Sequence, residues 1–266
     1  MLLALDKSRD FRHNLGINFK GEAMKISVLT IFPEFFDSFL KSPVIKRGID
    51  KGACDIEIVD IKNFAHGSFR HIDDSPFGGG PGMVMRCQPI FDALNSVCSE
   101  ESHKILLSPK GKTYSQSKAR EFASVEHIVL VCGHYEGVDA RVEEWIDEQL
   151  SIGDYMLTGG EIAAQVVVDS IVRLLDGVLR DGSTTEESHE NGLLEYPQYT
   201  QPREFNGLSV PEVLLSGHKA KIDDWRLIQS LLLTRELRPD MFESYELNKR
   251  EKKLLESADN DKKSNS

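Results

Sequence analysis

No stretch of the 266-residue chain reaches the roughly 20 apolar residues that a membrane-spanning helix needs. The first residues also lack the hydrophobic region and small-residue cleavage site of a secretory signal. A soluble, intracellular, cytoplasmic protein with no membrane partner is expected. Cysteine is sparse: Cys54, Cys87, Cys98 and Cys132 lie far apart, with no C-x-x-C pair and no histidine cluster at zinc spacing. A disulfide scaffold and a zinc ribbon are thereby excluded, a reduced compartment is expected, and no metal ligands are assigned. Positive charge is short as well. With 32 Lys and Arg against 43 Asp and Glu, the net charge is −11, which excludes nucleic-acid binding over the whole surface and leaves room only for a local basic patch.

Two nucleotide signatures are missing too. The stretch "SPKGKT" places Gly111-Lys112-Thr113 after an apolar run, but a P-loop needs a glycine five residues before Gly111, and Leu106 stands there. No G-x-G-x-x-G follows an early strand either.

What is present is an alternation of buried-looking strands and helices. "MKISVLTIF" from Met24, "CDIEIVDI" from Cys54, "KILLSP", "HIVLVCG" and "EQLSIGDYML" read as strands. "PEFFDSFL" and the stretches around Gln88 and Ser115 read as helices. Strand alternating with helix predicts an α/β fold with a mainly parallel sheet. Residues 1–23 are polar and aperiodic and are expected to be a disordered extension, so the first domain spans 24–179. Within it, "IAAQVVVDSIVRLLDGVL" predicts a long buried helix ending near Gly177. "RDGSTTEESHE" marks a flexible linker at 180–192, helices fill 193–257, and 258–266 should be a disordered tail.

In a parallel α/β sheet, ligands bind outside the carboxyl ends of the strands. Three loops fall there: Leu107, Ser108 and Pro109; the "GHYEG" of Gly133, Tyr135 and Glu136; and "SIGDYMLTGGE". The last offers Gly153, the main chain of Tyr155, Met156 and Leu157, and then Gly159-Gly160 before a helix, enough bare backbone to ring a flat heterocycle. Taken alone, a G-G-E is a tight turn with a glycine-assisted helix start. "DDSPFGGGPGMVM" lacks a phosphate-cradling lysine and by itself reads as a surface loop.

Together, "IFPEFF", "DDSPFGGGPGM", "LLSP", "CGHYEG", "SIGDYMLTGGE", "GLLEYPQYT" and "VLLSGHKAKIDDWR" stand in the order of the bacterial tRNA (guanine-N1)-methyltransferase family, which the chain resembles from about Met24 to Lys253. The resemblance implies a trefoil-knotted (SPOUT) α/β domain plus a small helical C-terminal domain, a homodimer sharing its active site between subunits, and tRNA as partner. It implies methyl transfer from S-adenosyl-L-methionine to N1 of guanine-37, the base just 3′ of the anticodon, and leaves open whether Mg2+ assists. Two rival readings are a knotted methyltransferase acting on ribose 2′-OH and an RNA-binding module without catalysis.

Guanine N1 carries a proton at neutral pH, so the transfer needs a carboxylate base and a donor that stabilises charge on O6. By resemblance the base falls in Thr185-Glu186-Glu187-Ser188, where Glu187 stands in place of the family's aspartate, with Glu186 and Asp181 as alternatives. Arg173 matches the family's site arginine. The cofactor residues implied are Leu107, Ser108, Pro109, Gly133, Tyr135, Glu136, Ile152, Gly153, Asp154, Tyr155, Met156, Leu157, Gly159 and Gly160. Asp73, Asp74, Gly78, Gly79 and Gly80 correspond to the stretch beside the substrate base. Lys219, Lys221 and Arg226, next to Trp225, form the local basic strip for tRNA.

Overall fold

A computed structural model of the chain describes residues 23–67, 71–179 and 192–264. The expectations for 1–23 and for the linker 180–192 therefore fall outside the described residues, except at Ala23 and Gly192. The chain divides into two units, Met1–Arg180 and Asp181–Ser266.

The strands of the first unit are β1 (Met24–Thr30), β2 (Cys54–Asp60), the short β3 (Asp73–Asp74) and β4 (Val84–Met85), β5 (Ser102–Thr113), β6 (His127–Cys132) and β7 (Glu148–Ser151). Five of them form one sheet in the order β2-β1-β6-β5-β7, and every pairing in it is parallel. Its helices are α1 (Pro43–Asp50), α2 (Cys87–Val97), α3 (Gln116–Phe122) and α4 (Glu161–Val172). Central strand β6 is buried at every residue, as its unbroken apolar run requires of a strand covered on both faces. Edge strand β2 instead alternates buried and exposed positions.

The period of two along each strand sorts the core into halves. Ile26, Val28, Ile105, Ile128 and Leu130 meet Ile45 of α1, Phe122 of α3 and Val167, Val168 and Ile171 of α4. On the other face, Leu29, Leu106, Val129 and Val131 meet Ile90, Ala93 and Leu94 of α2.

Two details differ from the sequence reading. Strand β5 is interrupted: Leu107 and Lys112 both lie opposite Leu150, so residues 108–111 leave the sheet and return to it. A Cβ on Gly111 would collide with the main chain of Gln149 and Leu150, which explains the glycine of "SPKGKT" as a close approach rather than a phosphate cradle. Helix α4 ends at Val172 instead of near Gly177. Beyond it, Leu174 and Leu175 donate to carbonyls three residues back, the tightening typical of a helix end, and this draws Leu175 and Val178 onto the core.

His127 lies at the opening of β6, 5% exposed. Its Nε2 contacts Ser27 Oγ at 2.9 Å and its Nδ1 contacts Ser102 Oγ at 2.7 Å. Burial, with Lys25 nearby and only Glu57 opposing, pushes its pKa below the usual 6.5. The folded chain thus holds this imidazole neutral while the unfolded chain protonates it. Its contribution to stability is complete above about pH 6.5 and is lost as pH falls through the folded value. Thermal melts taken from about pH 7.5 down to about pH 5.5 should show a falling midpoint, and this component of the slope should vanish in His127→Asn.

The second unit is mainly helical. After a small antiparallel ribbon, β8 (Glu204–Phe205) with β9 (Leu208–Ser209), come α5 (Glu212–Leu215), α6 (Lys219–Leu237), α7 (Pro239–Ser244) and α8 (Lys249–Ser264). Leu193, Leu231 and Leu255 form its core with Leu227, Phe242, Tyr245 and Leu247. Asn248 and Glu251 cap α8 reciprocally: Asn248 N–H donates to Glu251 Oε2 (2.8 Å) and Glu251 N–H to Asn248 Oδ1 (3.0 Å). Of the stretch 258–266 expected as a disordered tail, residues 258–264 continue α8. Arg235 grips Asp259 with two hydrogen bonds of 3.0 and 2.8 Å, anchoring a turn beyond residue 257 that composition alone marks as polar and unattached.

Candidate active site

Strands β5, β6 and β7 present their carboxyl ends side by side, and the loops that follow enclose a cavity of about 210 Å³. Its wall brings together Leu107, Ser108, Pro109, Gly133, Tyr135, Glu136, Ile152, Gly153, Tyr155, Met156, Leu157, Gly159 and Gly160. Of the residues predicted for the cofactor, only Asp154 is absent from that lining. Lys110, His134, Gly137, Val138, Glu143, Thr158 and Ala163 also line it.

The loop after β7 is shaped by Ser151, whose hydroxyl donates to Gly153 O (3.0 Å) and accepts from Gly153 N–H (3.2 Å). The far end of that loop is pinned to β6: Gly160 N–H donates to Gly133 O at 2.8 Å. A Cβ on Gly160 would stand 2.7 Å from Cys132 Cα, so this wall is main chain packed on main chain. Tyr135 takes the left-handed conformation, φ 59°, which a non-glycine residue rarely adopts and which concentrates at functional sites. Its phenol is pushed above its ordinary pKa by burial and by the charge of Asp73.

Asp73 belongs to the ribbon of β3 and β4, whose connecting segment carries Gly78, Gly79 and Gly80. The ribbon is tied to the "GHYEG" loop by Glu136 N–H to Met83 O (3.1 Å), Met85 N–H to Gly137 O (2.9 Å) and Asp139 N–H to Met85 O (2.9 Å). Asp73, Asp74 and the ribbon's glycines flank the cavity without lining it.

Arg173 is not brought to the cleft. It caps the carboxyl end of α4, whereas Gly160 caps the amino end, and a helix of that span separates them by about 20 Å at 1.5 Å per residue. Glu187, Glu186 and Asp181 lie outside the described residues. In the second unit Lys219 and Lys221 are exposed, while Arg226 is half-buried with its guanidinium 4.8 Å from the Tyr196 ring centroid. Lys219 and Arg226, seven residues apart, share one face of α6, and Lys221 does not.

Among the described residues, no group of three or more His, Cys, Asp or Glu is placed to hold a metal ion, and no helix is long and apolar enough to cross a membrane.

A parallel sheet whose carboxyl-end loops wall a cleft with glycine-rich main chain defines an α/β protein with its candidate site at the strand ends. The profile of the family described as tRNA (Guanine-1)-methyltransferase TrmD matches residues 24–244. The tRNA (guanine-N(1)-)-methyltransferase of Shouchella clausii is 49% identical over 236 residues, covering 87% of this chain and 97% of that protein. The proteins of the same name from Clostridium botulinum and Clostridium perfringens are each 50% identical, over 234 and 236 residues, covering 87% and 88% of this chain and 97% and 100% of theirs. The chain belongs to the tRNA (guanine-1)-methyltransferase family and is an enzyme.

Proposed function

We propose that this enzyme transfers the methyl group of S-adenosylmethionine to N1 of guanine-37 in tRNA, working in the cytoplasm as a homodimer whose active site is shared between subunits. The observation that carries the reading is the cleft. Three loops at adjacent strand ends wall it, with apolar Leu107, Ile152 and Leu157 beside Gly133, Gly153, Gly159 and Gly160. That suits a ligand with a flat heterocycle and a polar tail. When bound, S-adenosylmethionine supplies a methyl group on a sulfonium, so the N–C bond made by guanine N1 is matched by loss of the C–S bond, its electron pair staying on sulfur.

The chain's own residues have three tasks in this reading. Main-chain groups of residues 152–157, with Gly133 and the 107–109 turn, hold the cofactor. Asp73 and Asp74 accept from the exocyclic amino group of guanine, a donor that suits a carboxylate, and leave N1–H to the base. Glu187 takes the N1 proton, and Arg173 stabilises charge on O6. No step is assigned to Mg2+. The knotted domain at 24–179, the linker at 180–192 and the helical domain at 193–257, with Lys219 and Arg226 on the phosphates, complete the reading.

Two features support the dimer. Arg173 lies about a helix length from its own chain's cleft, so a role beside the reacting base calls for a second copy. Ile162 and Val166, one turn apart on α4, are 48% and 43% exposed, and Gln165 of the same helix donates to Phe35 O, whose side chain is also exposed. Such an apolar patch suits burial against another subunit.

The test incubates the full chain with labelled S-adenosylmethionine and a tRNA transcript bearing guanine 3′ of the anticodon. Labelled 1-methylguanine is expected. Label on a ribose oxygen, or no transfer, overturns the proposal.

A further inference from the structure

Beneath the cleft sits an ionisable side chain to which the proposed reaction gives no role. Glu161, the first residue of α4, is 2% exposed. A carboxylate so deeply buried needs partners. One oxygen is well served: Glu161 Oε1 accepts from Thr30 Oγ1 at 2.7 Å, and that hydroxyl oxygen accepts from Phe32 N–H at 2.9 Å. The amino end of α4 also favours negative charge. The second oxygen, Oε2, faces His134 Nδ1 across 3.9 Å. Nδ1 is buried and has no hydrogen-bond partner, an exception that calls for an explanation in a folded protein.

The surroundings prepare these two groups for each other. A Cβ on Gly159 would collide with both Nδ1 and Oε2. The imidazole packs against the rings of Phe32 and Tyr135, each 4.9 Å away and edge-on. His134 lines the cleft, and of its two ring nitrogens Nδ1 is the one buried beside Glu161.

We propose that Glu161 and His134 form an orienting pair for the methyl donor: Glu161 holds the proton of His134 on Nδ1, and the bare Nε2 accepts a hydrogen bond from a hydroxyl or amino group of S-adenosylmethionine. His134 is then a binding residue and Glu161 a positioning residue acting through it. The inference rests on the reading of the cleft as the cofactor site. The gap between the two groups closes by roughly 1 Å when the ligand loads the ring, as such bonds tighten on complex formation.

The experiment titrates S-adenosylmethionine into the full chain by calorimetry, comparing wild type with His134→Asn and His134→Gln. Asparagine keeps a donor toward Glu161 but removes the atom at Nε2, whereas glutamine reaches the Nε2 position. H134N should weaken binding about tenfold, the loss of one hydrogen bond, and should raise KM for the donor more than it lowers kcat. H134Q should recover part of the affinity. Equal affinity in wild type and H134N overturns this proposal while leaving the site reading intact. A wild-type chain that does not bind overturns both.

A second measurement needs no variant. Long-range 1H–15N spectra of the wild-type chain should show His134 protonated at Nδ1, with an Nε2 signal that moves when S-adenosylmethionine is added. A ring carrying its proton on Nε2 alone overturns the proposal. Glu161→Gln should weaken binding in wild type by more than it does in H134N, and equal losses in the two backgrounds likewise overturn it.

Discussion

Valine at Gly160 is expected to cut affinity for S-adenosylmethionine by at least about 100-fold and to lower stability by about 1–3 kcal/mol, the usual cost of overpacking. The cause is local and severe. The Cβ would stand 2.7 Å from Cys132 Cα, 3.1 Å from Cys132 Cβ and 3.2 Å from Gly133 N. The Cα and the nitrogen belong to the main chain at the end of β6, buried at every residue, so nothing there can swing aside as a long side chain would. Relief requires the 158–160 segment to lift away from β6. That movement breaks the hydrogen bond from Gly160 N–H to Gly133 O and parts two of the three loops that wall the cleft. Calorimetric titration and thermal melting of the full chain check the two halves of the expectation. Normal affinity in a folded G160V protein would show that the cleft tolerates separation of these loops, and the cofactor would then have to rest on the other walls.

The same close approach shows what a sequence can and cannot disclose. The strands were legible because their burial is written into composition: "HIVLVC" is apolar after its first residue and lies at the sheet centre, while "CDIEIVD" alternates and lies at an edge. The loops of the cleft were legible only in company: a lone G-G-E reads as a tight turn, whereas three loops at the carboxyl ends of strands in one parallel sheet fall where ligands bind.

What failed to show depends on contacts between distant residues. The excursion of 108–111 is set by Leu150 pairing twice with β5, and no local propensity encodes it. The early end of α4 depends on Leu175 and Val178 finding the core, although the apolar text runs on to Val178. The reach of α8 past residue 257 depends on Arg235, more than twenty residues upstream. Thr30, His134 and Glu161 meet only because β1, the loop after β6 and the start of α4 converge at one end of the sheet. The acid-rich text at 180–190 posed the reverse problem. Its chemistry is suggestive, but several carboxylates compete for one role there, and only resemblance orders them.

Glutamine at Glu187 is expected to lower the rate of methyl transfer by about 10²- to 10⁴-fold, the span that general base catalysis contributes, while cofactor affinity stays close to that of wild type. The substitution keeps size and removes only the capacity to take a proton. Guanine N1 still bears its hydrogen at neutral pH, so without a base the attacking lone pair is not free. Glutamate here is one methylene longer than the aspartate of the family pattern, which makes Glu187→Asp informative: it keeps the charge and tests the reach. Small displacements at a reacting centre carry large kinetic costs, so a slower E187D enzyme would mean that the neighbouring chain has adjusted to the longer side chain. Single-turnover transfer at saturating cofactor and tRNA separates the chemical step from binding. Full activity in E187Q would remove Glu187 from the mechanism and direct the same substitution to Glu186 and Asp181, the other carboxylates in the segment able to take the N1 proton.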